Sequence, residues 1–156
     1  SCCTSVLSSP PRILGDITIN AKNVKFGSNV VIYPGVYIWG ENIEIGNNVN
    51  IGVGTIIFSC KRVYIGDDTI IAGQCYIIDS NHSIDKNMVI QKQSLKTAVE
   101  GIFIGKDVWI GAQCFILKGA KINNGAVIGA QSLVNKEIPS YAVAFGTPAE
   151  VKSYRK

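Results

Sequence analysis

The chain holds one histidine among its 156 residues. It lies in Asp79-Ser80-Asn81-His82-Ser83-Ile84-Asp85, a polar run between two apolar stretches. One imidazole is too few for a histidine-based zinc site, which takes three or four nitrogen, sulfur or carboxylate ligands. It is enough for general-base work, which needs one positioned ring with its tautomer fixed by a partner. Asp79 and Asp85 are near enough in sequence to be that partner; a backbone carbonyl would serve equally, and loop turn chemistry is the other reading of both aspartates. The five cysteines are Cys2, Cys3, Cys60, Cys75 and Cys114. They form no C-x-x-C pair and stand beside no histidine, so neither a disulfide framework nor a zinc site is indicated. No G-x-S-x-G elbow and no phosphate-binding glycine loop occur.

What must position His82 is a repeat of six. An aliphatic residue opens each unit: Ile13, Ile19, Phe26, Ile32, Ile38, Ile45, Ile51, Ile57, Ile65, Ile71, Ile77, then Ile104, Ile110, Ile116, Ile122, Ile128 and Val134. Small residues such as Val49, Thr55, Cys75, Cys114, Ala126 and Ser132 recur four positions later, and Gly or Asn often follows the opening residue. A helix would repeat at 3.6 and a simple strand at 2. A strict six fits a short strand plus a corner, three to a coil of eighteen, with coils stacked at about the strand spacing of 4.8 Å. The expected fold is all-β: a parallel β-helix of about five coils forming one domain over 1–156.

The period breaks at one corner. Ile19 to Phe26 and Ile38 to Ile45 are seven-residue steps, Ile57 to Ile65 is eight, and Ile77 to Ile104 is twenty-seven. An extended loop over 79–101 is therefore expected to leave the third full coil, and insertions of that length in compact domains are usually functional. Residues 1–12 are expected to be flexible and 139–156 to cap the solenoid, since Pro139, Gly146 and Pro148 break the pattern there. The loop's Ile84, Met88, Val89, Ile90, Leu95 and Val99 are expected to pack on a neighbouring subunit. Its Lys86, Lys92 and Lys96 would then line the entrance of an acceptor pocket and favour anionic acceptors.

The formal charge of +4 is uneven: residues 1–85 carry five Lys/Arg and seven Asp/Glu, residues 86–156 ten and four. A basic half suits an anionic partner such as a phosphorylated cofactor. Apolar runs are too short to span a bilayer. With no secretory signal visible and no disulfide pattern, a cytoplasmic setting is expected.

The coils, the loop opening with Asn81-His82, Ile104-Gly-Lys-Asp-Val-Trp-Ile-Gly-Ala112, Ile128-Gly-Ala-Gln-Ser-Leu-Val-Asn-Lys-Glu-Ile-Pro139 and Phe145-Gly-Thr-Pro-Ala149 resemble the hexapeptide-repeat acetyltransferases. The likeness covers about residues 13–152 and is nearest to the galactoside and maltose O-acetyltransferases and the bacterial polysaccharide O-acetyltransferases. It implies a left-handed coil, a homotrimer with sites between subunits, acetyl-coenzyme A as donor, a sugar hydroxyl as acceptor, no metal and no nucleic acid. His82 matches the general base. Trp109, Ala112, Ala130, Asn135 and Lys136 match positions around the cofactor. Asn81 and Gly52 match the acceptor pocket, although Gly52 stands where galactoside enzymes carry an acceptor-binding Asn. Their phosphate-binding Arg falls at Ser153, leaving Lys152 or Arg155 to substitute. Two other readings stay open: N-acetylation of an amino sugar or antibiotic, and a non-enzymatic β-helix assembly subunit.

Overall fold

The computed structural model describes residues 9–156; residues 1–8, part of the segment expected to be flexible, lie outside them. The chain winds as a left-handed parallel β-helix of triangular section. Its first face stacks Arg12–Ile13, Val31–Ile32, Asn50–Ile51, Ile70–Ile71, Trp109–Ile110, Val127–Ile128 and Ala142–Phe145. The second stacks Thr18–Ala21, Tyr37–Gly40, Ile56–Ser59, Tyr76–Ile78, Phe115–Ile116 and Leu133–Val134. The third stacks Val24–Phe26, Ile43–Ile45, Val63–Ile65, Ile102–Ile104, Lys121–Ile122 and Glu137–Ile138. Six complete coils result, with the first side of a seventh. The sequence count of about five falls short because the last turn shortens: Val134 to Ile138 is four residues, and Ala144 replaces the next large residue. The final strand, Glu150–Tyr154, pairs antiparallel with Ala142–Phe145 and closes that edge.

Each opening Ile points inward and is fully buried from Ile32 through Ile128. β-branched side chains are stiff and suit strands, and each buried one contributes about 1.5–3 kcal/mol relative to exposure. Stacking is in register, Ile51 on Ile32 and Ile71 on Ile51. The small residues inside the first-to-second corner also form hydrogen bonds, those of Thr55, Cys75 and Cys114 reaching the next coil and that of Ser132 its own. Thr55 Oγ1 donates to the Ala72 carbonyl, Cys75 Sγ to that of Gly111, and Cys114 Sγ and Ser132 Oγ to that of Gly129. The two cysteines therefore stand in for hydroxyls and are sealed in the core.

Corners carry side-chain ladders. Gln74, Gln113 and Gln131 all adopt positive φ, and their amides link at 3.0 Å, one coil to the next. On the third-to-first corner Asn29 Nδ2 donates to Asn48, and Asn48 Nδ2 to Asp68.

Candidate active site

The long excursion leaves the solenoid between Ile78 on the second face and Ile102 on the third, in the Ile77-to-Ile104 step where the sequence breaks its period. It forms an arm: Ser80–His82 pairs antiparallel with Leu95–Thr97, and a single 3-10 turn spans Ile90–Lys92. Gln93 clamps its tip. Its Oε1 accepts from the Asp85 amide, and its Nε2 donates to the carbonyls of Asp85 and Met88. Asp85 Oδ1 accepts from the Asn87 amide, so its carboxylate shapes the turn.

Asp79 anchors the arm's root. It is fully buried. Its carboxylate accepts the amides of Cys60, Lys61 and Arg62 at 2.8–2.9 Å and the Ser59 hydroxyl at 3.2 Å. Successive amides converging on one anion make a nest, and here the anion is the chain's own. Neither aspartate therefore serves His82 in the role considered for them: Asp79 is consumed by the preceding corner and Asp85 by the loop tip.

His82 is exposed. Among the described residues no hydrogen bond or ion pair takes its imidazole. It borders a groove of about 840 Å³ between the arm and the outer side of the second face. Tyr37, Trp39, Phe58 and Tyr76 form one wall, and Ser80, Asn81, His82, Gln93 and Leu95 the other. Trp39 and Phe58 pack with ring centroids 4.6 Å apart. No Lys lines the groove. Lys86, Lys92 and Lys96 project from other parts of the arm, so within this chain no Lys, Arg, Asp or Glu lines the groove. The arm's apolar residues are exposed in the single chain, Val99 to 85% and Ile84 to 79%.

The aromatic wall was not singled out from sequence. Its signal was present: on a strand, neighbours of an inward Ile point outward, and Ile38, Ile57 and Ile77 are flanked by Tyr37/Trp39, Ile56/Phe58 and Tyr76/Ile78. A solvent-facing strand would place polar residues there.

The remaining matched residues fall elsewhere. Ala112 and Ala130 are neighbours at the first-to-second corner, where the Gln131 amide donates to the Ala112 carbonyl. No hydrogen bond among the described residues uses the amide of either alanine. Gly52 lies at the same corner, outside the groove; a Cβ there would collide with the Ala72–Gly73 peptide, so the position is closed to any side chain. Trp109 stands on the first face, 54% exposed. Asn135 and Lys136 occupy the second-to-third corner. Arg155 sits at the third-to-first corner, where Nη1 donates to Asp107 Oδ2 at 2.8 Å and to the Gly125 carbonyl at 3.0 Å. One chain thus brings His82 and Asn81 together in the groove, and spreads the others over three corners and the first face. No group of three His, Cys, Asp or Glu that could hold a metal occurs among the described residues.

Residues 101–136 match the family model for the bacterial transferase hexapeptide (six repeats). A galactoside O-acetyltransferase of Lactococcus lactis subsp. lactis (strain IL1403) is 58% identical over 36 residues, 23% of this chain and 17% of that protein. Among solved structures, AntD, an N-acyltransferase from Bacillus cereus held with dTDP-4-amino-4,6-dideoxyglucose and coenzyme A, superposes with a TM-score of 0.80 at 21% identity, over 94% of this chain and 83% of that one. A maltose O-acetyltransferase from Clostridium difficile 630 gives 0.54 at 24% identity, over 90% and 71%. The repeat, its stacked coils and these superpositions agree: the chain carries the bacterial transferase hexapeptide repeat and shares the β-helix fold of acyltransferases built on it.

Proposed function

We propose that the protein moves an acetyl group from acetyl-coenzyme A to a hydroxyl of a sugar, working as a homotrimer in the cytoplasm and serving polysaccharide synthesis. The observation that carries this reading is the unpaired imidazole of His82 on the wall of an aromatic-lined groove. His82 Nε2 accepts the proton of the acceptor hydroxyl as its oxygen bonds to the thioester carbonyl carbon. The same nitrogen returns that proton to the sulfur as the carbon–sulfur bond breaks. Base catalysis of this kind contributes about 10²–10⁴-fold. The free amides of Ala112 and Ala130 suit a carbonyl oxygen or a pantetheine amide. The basic residues of the second half, Lys136 among them, suit phosphate. The wall of Tyr37, Trp39 and Phe58 suits the apolar face of a sugar ring, and the uncharged lining favours a neutral acceptor over an anionic one.

The trimer has its own support. Trp109 on the first face, the Ala112–Ala130 corner and Asn135 at the next corner lie on different sides of one solenoid, which suits a ligand held between two chains. The exposed apolar arm offers such a neighbour a surface to cover. Labelled acetyl-coenzyme A tested against neutral sugars, amino sugars and nucleotide sugars checks the reading, with light scattering for the trimer. Transfer to neutral sugar hydroxyls is expected. An amino sugar turned over in preference would replace O-transfer by N-transfer, and absence of any coenzyme A binding would leave a structural β-helix.

A further inference from the structure

Ser80 is 3% exposed, and its Oγ is a buried side-chain polar atom with no hydrogen-bond partner. Leaving a hydroxyl unmatched in a buried place costs about 1–3 kcal/mol, so the position calls for a use. Ser80 and His82 both line the groove. They occupy the ends of the strand Ser80–His82, two residues apart, so their side chains leave the same face of it. Three nearby polar side chains are engaged elsewhere: Asp79 with the amides of residues 60–62, Asp85 with the Asn87 amide, and Gln93 with the loop tip; of the groove's other polar side chains, only the Ser80 hydroxyl is both buried and without a partner. We propose that Ser80 is the positioning residue of His82: its Oγ accepts a hydrogen bond from Nδ1–H. That bond holds the ring over the groove in the tautomer whose Nε2 carries the lone pair. It forms by rotation of the exposed, unpaired imidazole toward a hydroxyl on its own strand, with no change in the backbone. The inference rests on His82 being the base, and it names what fixes that base.

The chain's single histidine makes the test direct, because the imidazole nitrogen resonances need no assignment. Nitrogen-15 spectra of the full chain, wild type and Ser80→Ala, at a pH where the ring is neutral, report the tautomer populations. The Nδ1–H form should dominate in wild type and give way to the Nε2–H form in Ser80→Ala, while Ser80→Thr keeps the wild-type distribution. In the transfer assay Ser80→Ala should lower kcat by up to about tenfold, the equivalent of one neutral hydrogen bond, with KM for the acceptor unchanged. Its melting temperature should stay close to that of wild type, since a bond to an exposed ring contributes little to folding. Identical tautomer populations in wild type and Ser80→Ala would overturn the proposal. So would a raised acceptor KM at unchanged kcat, which would make Ser80 an acceptor contact. A melting temperature lowered by several degrees with the tautomer unaltered would make Ser80 structural and overturn it equally. The spectra do not depend on turnover, so failure of the acetyl-transfer reading and failure of this one are separately visible.

Discussion

Two corners of the same triangle behave differently. Between the first and second faces the spacing is six in every coil: Ile13 to Ile19, Ile32 to Ile38, Ile51 to Ile57, Ile71 to Ile77, Ile110 to Ile116, Ile128 to Val134. Between the second and third it is seven, seven, eight, twenty-seven, six and four, from Ile19 to Phe26 through Val134 to Ile138. The constant corner is tied from coil to coil by buried hydroxyls and thiols and by the Gln74–Gln113–Gln131 ladder. The variable corner carries the arm with His82; in its early coils Asn23 Nδ2 donates to Asn42 and Asn42 Nδ2 to the Lys61 carbonyl, and at the arm the Asp79 carboxylate takes over from that ladder. Regularity supplies the rigid wall, and the one irregular edge supplies the reactive group.

Length changes test this contrast most severely. Two glycines inserted between Gly73 and Gln74 should break the amide ladder and lower the melting temperature by about 10 °C or more. The same pair between Lys118 and Gly119, at the variable corner, should lower it far less. Equal losses by calorimetry would erase the distinction. Next in size, Asp79→Ala leaves three amides and a hydroxyl unmatched and should cost about 3 kcal/mol in chemical denaturation. Amide exchange should rise first at residues 60–62 and in the arm. Protection lost uniformly along the solenoid would contradict a local anchor. His82→Ala should lower acetyl transfer by at least about 10²-fold and leave the melting temperature where it was, because the side chain supports nothing. Near-wild-type rates would remove His82 from the mechanism.

The smallest effect belongs to a regular corner. The Asn47 amide, and then Lys106, hold the Asp67 carboxyl below the ordinary carboxylate range. A lowered value in the folded state gives stability that is present above the unfolded value, near 4, and is lost as pH falls through the folded one. Asp67→Asn should therefore be less stable than wild type at neutral pH, by less than about 1 kcal/mol for so solvated a group. The two stability curves should converge below about pH 4; a gap that widened with acid would reverse the assignment.

Much of this was legible in the residues. The run of Ile at a period of six specifies the coil, because inward positions admit one kind of side chain and the period fixes where they fall. The excursion after Ile78 and its lone histidine were legible for the same reason, as departures from a strict pattern. Asp79 was not. In sequence it is an aspartate three residues before a histidine, and the amides it serves lie seventeen to nineteen residues earlier, where no residue type announces a need for an anion. Arg155 was placed with the cofactor by resemblance, yet the guanidinium meets Asp107, 48 residues away, over the Tyr141 ring. Such contacts depend on which residues coil stacking superimposes at the corners, and the uneven steps of the variable corner hide that offset.

The arm has one more consequence, and it is kinetic. Residues in adjacent coils are ordinarily eighteen to twenty apart along the chain, as Asn29 is from Asn48 and Gln113 from Gln131. Across the arm the same neighbours, Gln74 and Gln113, are 39 apart. Doubling a loop adds about 0.6 kcal/mol of closure entropy, which is about a threefold slower step wherever that closure limits the rate. A solenoid that grows coil upon coil would pause there, so the segments before and after the arm are natural units of folding, joined last across the seam beside His82.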